Sequence, residues 1–215
     1  MDARRSDPGE HPTAALLAAA GWLDLLDDVH GGLCHDLNSR AASFEGLLQI
    51  LEMDESEASR TLSYLRPEAE RLASLAETLG LLSGRVDAPP EAFELQDPVA
   101  AAVRLFGRAT ALRHLEVSVT QGLPAPSVRA SRPRVLRVVL LLLAEAGRAP
   151  GIPGLRVETS GEGSRAEVLI HREGDPGPAL GPEREPLQRL LALDGGALLE
   201  GPGMVGCSFP GLGAG

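Results

Sequence analysis

The chain contains no lysine; all 20 of its Lys/Arg-type cations are arginine, a usage that reflects a GC-rich coding bias before it reflects function. Aromatic residues are nearly as scarce, at 3% of 215 positions, so packing must rest on Leu, Ala and Val. The two cysteines, Cys34 and Cys207, are too few and too far apart for a disulfide framework, and they match no zinc spacing. Long apolar runs are missing as well. Even Val138 to Ala144, a run no other exceeds, falls far short of the roughly 18 residues that a bilayer crossing needs. The N-terminus, Met1-Asp2-Ala3-Arg4-Arg5, lacks the apolar core of a signal peptide. These absences predict a soluble, cytoplasmic protein with no membrane partner. Positive charge is in deficit, and unevenly so. Residues 1–88 hold 16 acids and 7 arginines, net −9 of the chain's −10. An acidic half argues against nucleic acid as a partner.

The chain has the length of one large domain or two small ones, and its 43% apolar content is that of a globular protein. Residues 1–12 carry Pro8, Gly9, Pro12 and unpatterned charge, and are expected to be a disordered tail. From Thr13, a candidate N-cap, a helical pattern begins, weakened at Gly21 and Gly31-Gly32. Trp22, Leu26, Val29, Leu33, Leu37, Phe44, Leu48 and Leu51 then form one stripe along a helix. After Glu52-Met53-Asp54-Glu55, with Ser56 as a cap, a second helix carries Ala58, Leu62, Leu65, Ala69, Leu72, Ala76 and Leu79 in heptad spacing. Pro67 lies inside it and predicts a kink. Two long helices with a short connection predict an antiparallel hairpin over 13–86. One apolar face on such a hairpin is covered economically by a second copy, giving a homodimeric four-helix bundle.

Asp87-Ala88-Pro89-Pro90 reads as the start of a linker, 87–95. The remainder, 96–215, reads α-β-α-β-β-α-β-β. Helices are expected from Asp97 to Arg113, Ser131 to Ala146 and Glu183 to Leu193. Strands are expected at 115–119, 155–159, 166–171, 197–200 and 204–209. The fold class is therefore α+β: a helical hairpin followed by an α/β two-layer sandwich with a mixed or antiparallel sheet.

His35 lies two residues from both Leu33 and Leu37, about 200° around the helix from each. It therefore points to solvent with a carboxylate beside it at Asp36. On the helix alone this is an ordinary surface histidine. His30 and Cys34, four apart, lack the second pair that a metal site needs.

His35-Asp36-Leu37-Asn38-Ser39 on the first helix of a hairpin resembles the phosphoacceptor segment of bacterial histidine kinases. The element order of the second region resembles their ATP-binding domain. Arg134 to Ala146 resembles its nucleotide-binding helix, and Gly195-Gly196 through Pro210 its last hairpin. The likeness spans about residues 20 to 212 in the right order, and this reverses the bland reading of His35. Two asparagines on the kinase helix, however, match Leu141 and Glu145 here. Leucine offers no oxygen to a hard Mg²⁺ ion, and glutamate adds negative charge beside a triphosphate. The glycine box is reduced to Asp175-Pro176-Gly177-Pro178-Ala179 and the glycines of a phosphate lid are missing. No cofactor is expected on this chain, and ATP-dependent kinase activity is not expected.

A histidine hairpin with a degenerate kinase-like domain is similar to the histidine phosphotransferases of bacterial phosphorelays, most closely those of the cell-cycle type. The resemblance implies a homodimer that accepts phosphoryl from one receiver-domain aspartate and passes it to another through His35. An upstream hybrid histidine kinase is the implied source, and Mg²⁺ is supplied by the response-regulator receiver. Asp36 would orient the imidazole; Arg40 would neutralise phosphate or dock the partner. Ser39 matches the position that carries threonine or asparagine in kinases with phosphatase activity, and Asn38 lies near the same rim. Two alternatives stand beside this reading: a divergent sensor histidine kinase fragment, and a non-catalytic dimeric scaffold that binds a receiver or a kinase.

Overall fold

The computed structural model describes residues 12–53, 58–122, 125–162, 164–174 and 180–212. Most of the expected tail, and the expected cap at Ser56, lie outside them. The helical part has three elements: α1 (Pro12–Ala19), α2 (Trp22–Met53) and α3 (Ala58–Leu82). The break between α1 and α2, which the sequence pattern runs through, falls at Gly21, where φ is +76°. Only glycine adopts that conformation cheaply. It turns α1 away from the hairpin and against α6 (Arg184–Ala192). α3 continues through Pro67 without interruption.

α2 and α3 run antiparallel, with Arg40 paired to Glu68 and Leu47 and Ile50 opposite Tyr64 and Pro67 across a shared groove. The two halves of the α2 stripe have different fates. Trp22, Val29 and Leu33 are buried, with Leu25 filling the core position expected for Leu26, which is half-buried; Leu37 and Leu48 are about two-fifths exposed, at 40% and 39%.

The remaining elements are β1 (Glu91–Glu94), α4 (Gln96–Phe106), β2 (Glu116–Gln121), β3 (Ser127–Ala130), α5 (Arg132–Gly147), β4 (Gly154–Glu162), β5 (Arg165–Arg172), α6, β6 (Ala197–Gly201) and β7 (Met204–Pro210). Five strands form a mixed sheet in the order β2-β4-β5-β7-β6; β2 runs parallel to β4 and the other pairs are antiparallel. Its register puts Val157 opposite Ile170 and Val168 opposite Cys207. The residues of that face are buried, and α5 lies against the sheet. Alternation of side chains on a strand assigns the intervening positions, such as Glu158 and His171, to the other face.

Two strands escape the sequence reading. β1, in the stretch taken as linker, pairs antiparallel with β3. Its sequence, Glu-Ala-Phe-Glu, is short and mostly exposed, and its partner lies more than 30 residues away, so no local pattern announces it. α4 also ends at Phe106 rather than near Arg113, because Gly107 begins a series of turns that runs to Leu115.

α5 organises the packing. From Arg134 to Ala144 every residue is buried, because the sheet, α4 and α6 surround it and α2 touches it too. A helix apolar on all sides is a helix enclosed on all sides. Trp22, Leu25, Val29 and Leu33 share one continuous core with Leu105, Phe106, Leu112 and Leu140. The hairpin's first half is thus packed into the α/β layer, and the expected boundary between 86 and 96 separates no cores.

Candidate functional site

His35 projects from the middle of α2 with its side chain 75% exposed. Its Nδ1 lies 3.5 Å from Asp36 Oδ1, so the ring turns one nitrogen to the carboxylate and leaves Nε2 facing outward. A carboxylate on that side favours the orientation in which Nδ1 is the inner nitrogen and Nε2 the outer one. Asn38 and Ser39, at about −60° and +40° from His35 on the helix, are exposed on the same face. The Ser39 carbonyl accepts a hydrogen bond from Ser43 Oγ at 3.0 Å. Gly31 is also exposed, and nothing lies within 4 Å of where its Cβ would be. The ring therefore stands among small side chains that leave room for an approaching protein surface.

Arg40 is placed elsewhere. Five residues correspond to about 140° around a helix, and its guanidinium turns to α3, 3.4 Å from Glu68, which also pairs with Arg71. Cys34 Sγ lies 3.5 Å from His30 Nε2, and among the described residues no group of three or more acidic, histidine or cysteine side chains gathers to hold a metal.

A contact absent from the sequence reading completes the surroundings. The turn after α4 approaches α2 along Asp28, Gly32 and Asp36, which are spaced four apart and so share one face. Asp28 accepts hydrogen bonds from the backbone N–H of Thr110 at 3.1 Å and of Ala111 at 3.3 Å, and from the Thr110 hydroxyl. At Gly32 an added Cβ would meet the Arg108 carbonyl oxygen at 1.8 Å, so only glycine admits the turn. Arg108, held there, donates from Nη1 to Asp36 Oδ2. Asp36 therefore stands between His35 and an arginine of the α/β layer. The four-residue spacing of Asp28, Gly32 and Asp36 was visible in the sequence. Its partner, some 70 residues later in an irregular turn, was not.

The positions matched to the kinase nucleotide helix lie on α5. Leu141 is 1% exposed in the core. Glu145 pairs with Arg148. Burial pushes its carboxyl pKa upward; Arg148 opposes that shift and Glu183 adds to it. Asp175 and Gly177 lie outside the described residues.

No protein-family model matches the chain, and neither does any curated protein. Solved structures similar to it are histidine kinases. The ATP-binding domain of PrrB from Mycobacterium tuberculosis matches at 16% identity and a TM-score of 0.49, covering 59% of this chain and 100% of that one. A histidine kinase from Burkholderia phymatum matches at 17% and 0.48, covering 96% and 100%. The kinase ThkA, solved in complex with the response regulator TrrA, matches at 14% and 0.46, covering 95% and 68%. At these identities and scores, chemistry has to be read from this chain's own side chains.

Proposed function

We propose that the chain is a histidine phosphotransfer protein of a two-component phosphorelay, working as a homodimer. The observation that carries this reading is the disposition of His35: exposed, Nδ1 towards Asp36 and Nε2 open. An imidazole so oriented is an activated nucleophile. Nε2 attacks the phosphorus of a receiver's aspartyl phosphate, the P–O bond to the carboxylate breaks as the P–N bond forms, and the aspartate leaves as its anion. The proton on Nδ1 stays in place, and the resulting positive ring is stabilised by Asp36. A second receiver's aspartate reverses the step. The rest is positioning and charge neutralisation, part of it supplied by Mg²⁺ in the receiver. Asn38 and Ser39 are the side chains placed to touch that partner. Self-phosphorylation from ATP fits poorly. Leu141 is sealed in the core and supplies no oxygen, while Glu145 is engaged with Arg148.

The test uses two donors. Protein incubated with radiolabelled ATP alone should stay unlabelled. Protein incubated with receiver domains already phosphorylated on aspartate should acquire label, and His35→Ala should abolish it. Label from ATP in the absence of another kinase would replace this reading by a divergent kinase; label from neither donor, across several receivers, would leave a scaffold.

A further inference from the structure

We propose that Arg108 is the phosphoryl-binding residue of this site, supplied by the α/β layer to a histidine on the hairpin. The inference rests on His35 being the phosphoryl acceptor. A phosphoryl group on Nε2 places about two negative charges on a ring whose other nitrogen already faces the Asp36 carboxylate. The ring's own positive charge offsets only part of this, since about −2 on the phosphoryl and −1 on Asp36 face a single +1, and a second cation shared by the two anions removes the excess. Arg40 does not serve, since it is turned through about 140° and bound to Glu68 on α3. Arg108 does. It rests on Asp36, a third of its side chain is open to solvent at 38%, and its fork of donors suits two acceptors at once.

The backbone of Arg108 is held at its own carbonyl and just beyond it. Asp28 fixes the turn through Thr110 and Ala111, and Gly32 lets the Arg108 carbonyl come against α2. The side chain beyond is held through Nη1 to Asp36 Oδ2, which leaves the rest of its fork of donors for a second acceptor. In the empty state Arg108 neutralises Asp36. When the phosphoryl group arrives it bridges carboxylate and phosphoryl oxygens, stabilising both the phosphohistidine and the charge that develops during transfer. The α/β layer then has a use that needs no nucleotide: it presents an arginine to the acceptor histidine.

Phosphoramidate tests this without a protein partner. Its P–N bond breaks, ammonia leaves, and the phosphoryl group passes to Nε2. The full chain, Arg108→Gln and Arg108→Lys are labelled side by side, with His35→Ala as the blank and circular dichroism confirming the fold. Gln keeps a donor for Asp36 but no charge; Lys keeps the charge. Labelling of Arg108→Gln should slow at least about tenfold, and its ³¹P resonance should move from the wild-type position. Arg108→Lys should recover most of the rate. Arg108→Gln that labels at the wild-type rate with an unchanged resonance overturns the role of Arg108 and leaves the acceptor assignment standing. A wild-type chain labelled at His35 neither by phosphoramidate nor by phosphorylated receivers overturns the acceptor assignment itself.

Discussion

Two adjacent glycines on α2 look equivalent in the sequence and are opposite in the structure. Both cost helix stability, about 1 kcal/mol each relative to alanine. Gly31 faces open space, so Gly31→Ala should raise the melting temperature by the propensity gain alone. Gly32 meets the Arg108 carbonyl, so a Cβ there must push the turn off the helix. The overpacking penalty, about 1–3 kcal/mol, exceeds the propensity gain, and Gly32→Ala should lower the melting temperature. Thermal denaturation of the two variants side by side decides it, and equal shifts would contradict the contact. Cysteine shows the same contrast: Cys34 is exposed beside His35, while burial pushes the Cys207 thiol up to about 12, with Glu167 adding to the shift. Periodicity placed His35 outward correctly. Which way Arg40 points was also legible in its five-residue offset, about 140° from His35, an angle that a position one turn beyond His35 does not express.

At the scale of elements, α5 holds the hairpin to the sheet through one arginine. Arg137 donates to the carbonyls of Leu82 at 2.8 Å and Gly84 at 2.7 Å, and its guanidinium lies 5.3 Å from the Trp22 ring centre. It thus satisfies the C-terminal end of α3 and stacks on the start of α2 together. Burial lowers its pKa, though an arginine stays charged throughout the working range. Arg137→Met keeps the stem and removes the donors. Hydrogen bonds to charged groups contribute about 1.5–3 kcal/mol each in mutational series, so losing the two should cost at least about 3 kcal/mol by denaturant titration. Faster amide exchange should be concentrated around 80–86. Exchange that rises uniformly along the chain would mean that Arg137 is merely a core residue. The sequence marked α5 clearly, since a helix apolar on every side has to be enclosed. It left β1 and β3 unmarked, because four-residue edge pieces acquire their identity only from each other.

At the scale of the molecule, the hairpin leaves apolar surface that one chain does not cover. Leu62 is 56% exposed, Ile50 50% and Tyr64 53%, with Leu37 and Leu48 on α2 close behind. On α3, Leu65 and Leu75 turn inward while Leu62, Ala69 and Ala76 repeat every seven residues on the exposed side. That division fits a helix with one neighbour inside its own chain and a second outside it. Sedimentation should give twice the 22.5 kDa chain mass. Leu62→Glu, paired with Leu48→Glu, should halve the mass while leaving the helical dichroism of the α/β layer unchanged. A wild-type chain that sediments as a monomer at micromolar concentration would remove the dimer from the proposal.

The sequence by itself determined the long helices, the alternating strands, the outward phase of His35 and the apolar run that makes α5 an enclosed helix. All of these depend on local period or residue chemistry, which the order of residues specifies directly. Only the tertiary structure decided that the hairpin shares a core with the α/β layer and that Asp36 has a second partner in Arg108. The physical reason is the range of the interactions. An arginine in an irregular turn has no period to betray it, and its position against α2 exists only once Gly32 has admitted its carbonyl and Asp28 has bound the backbone that follows.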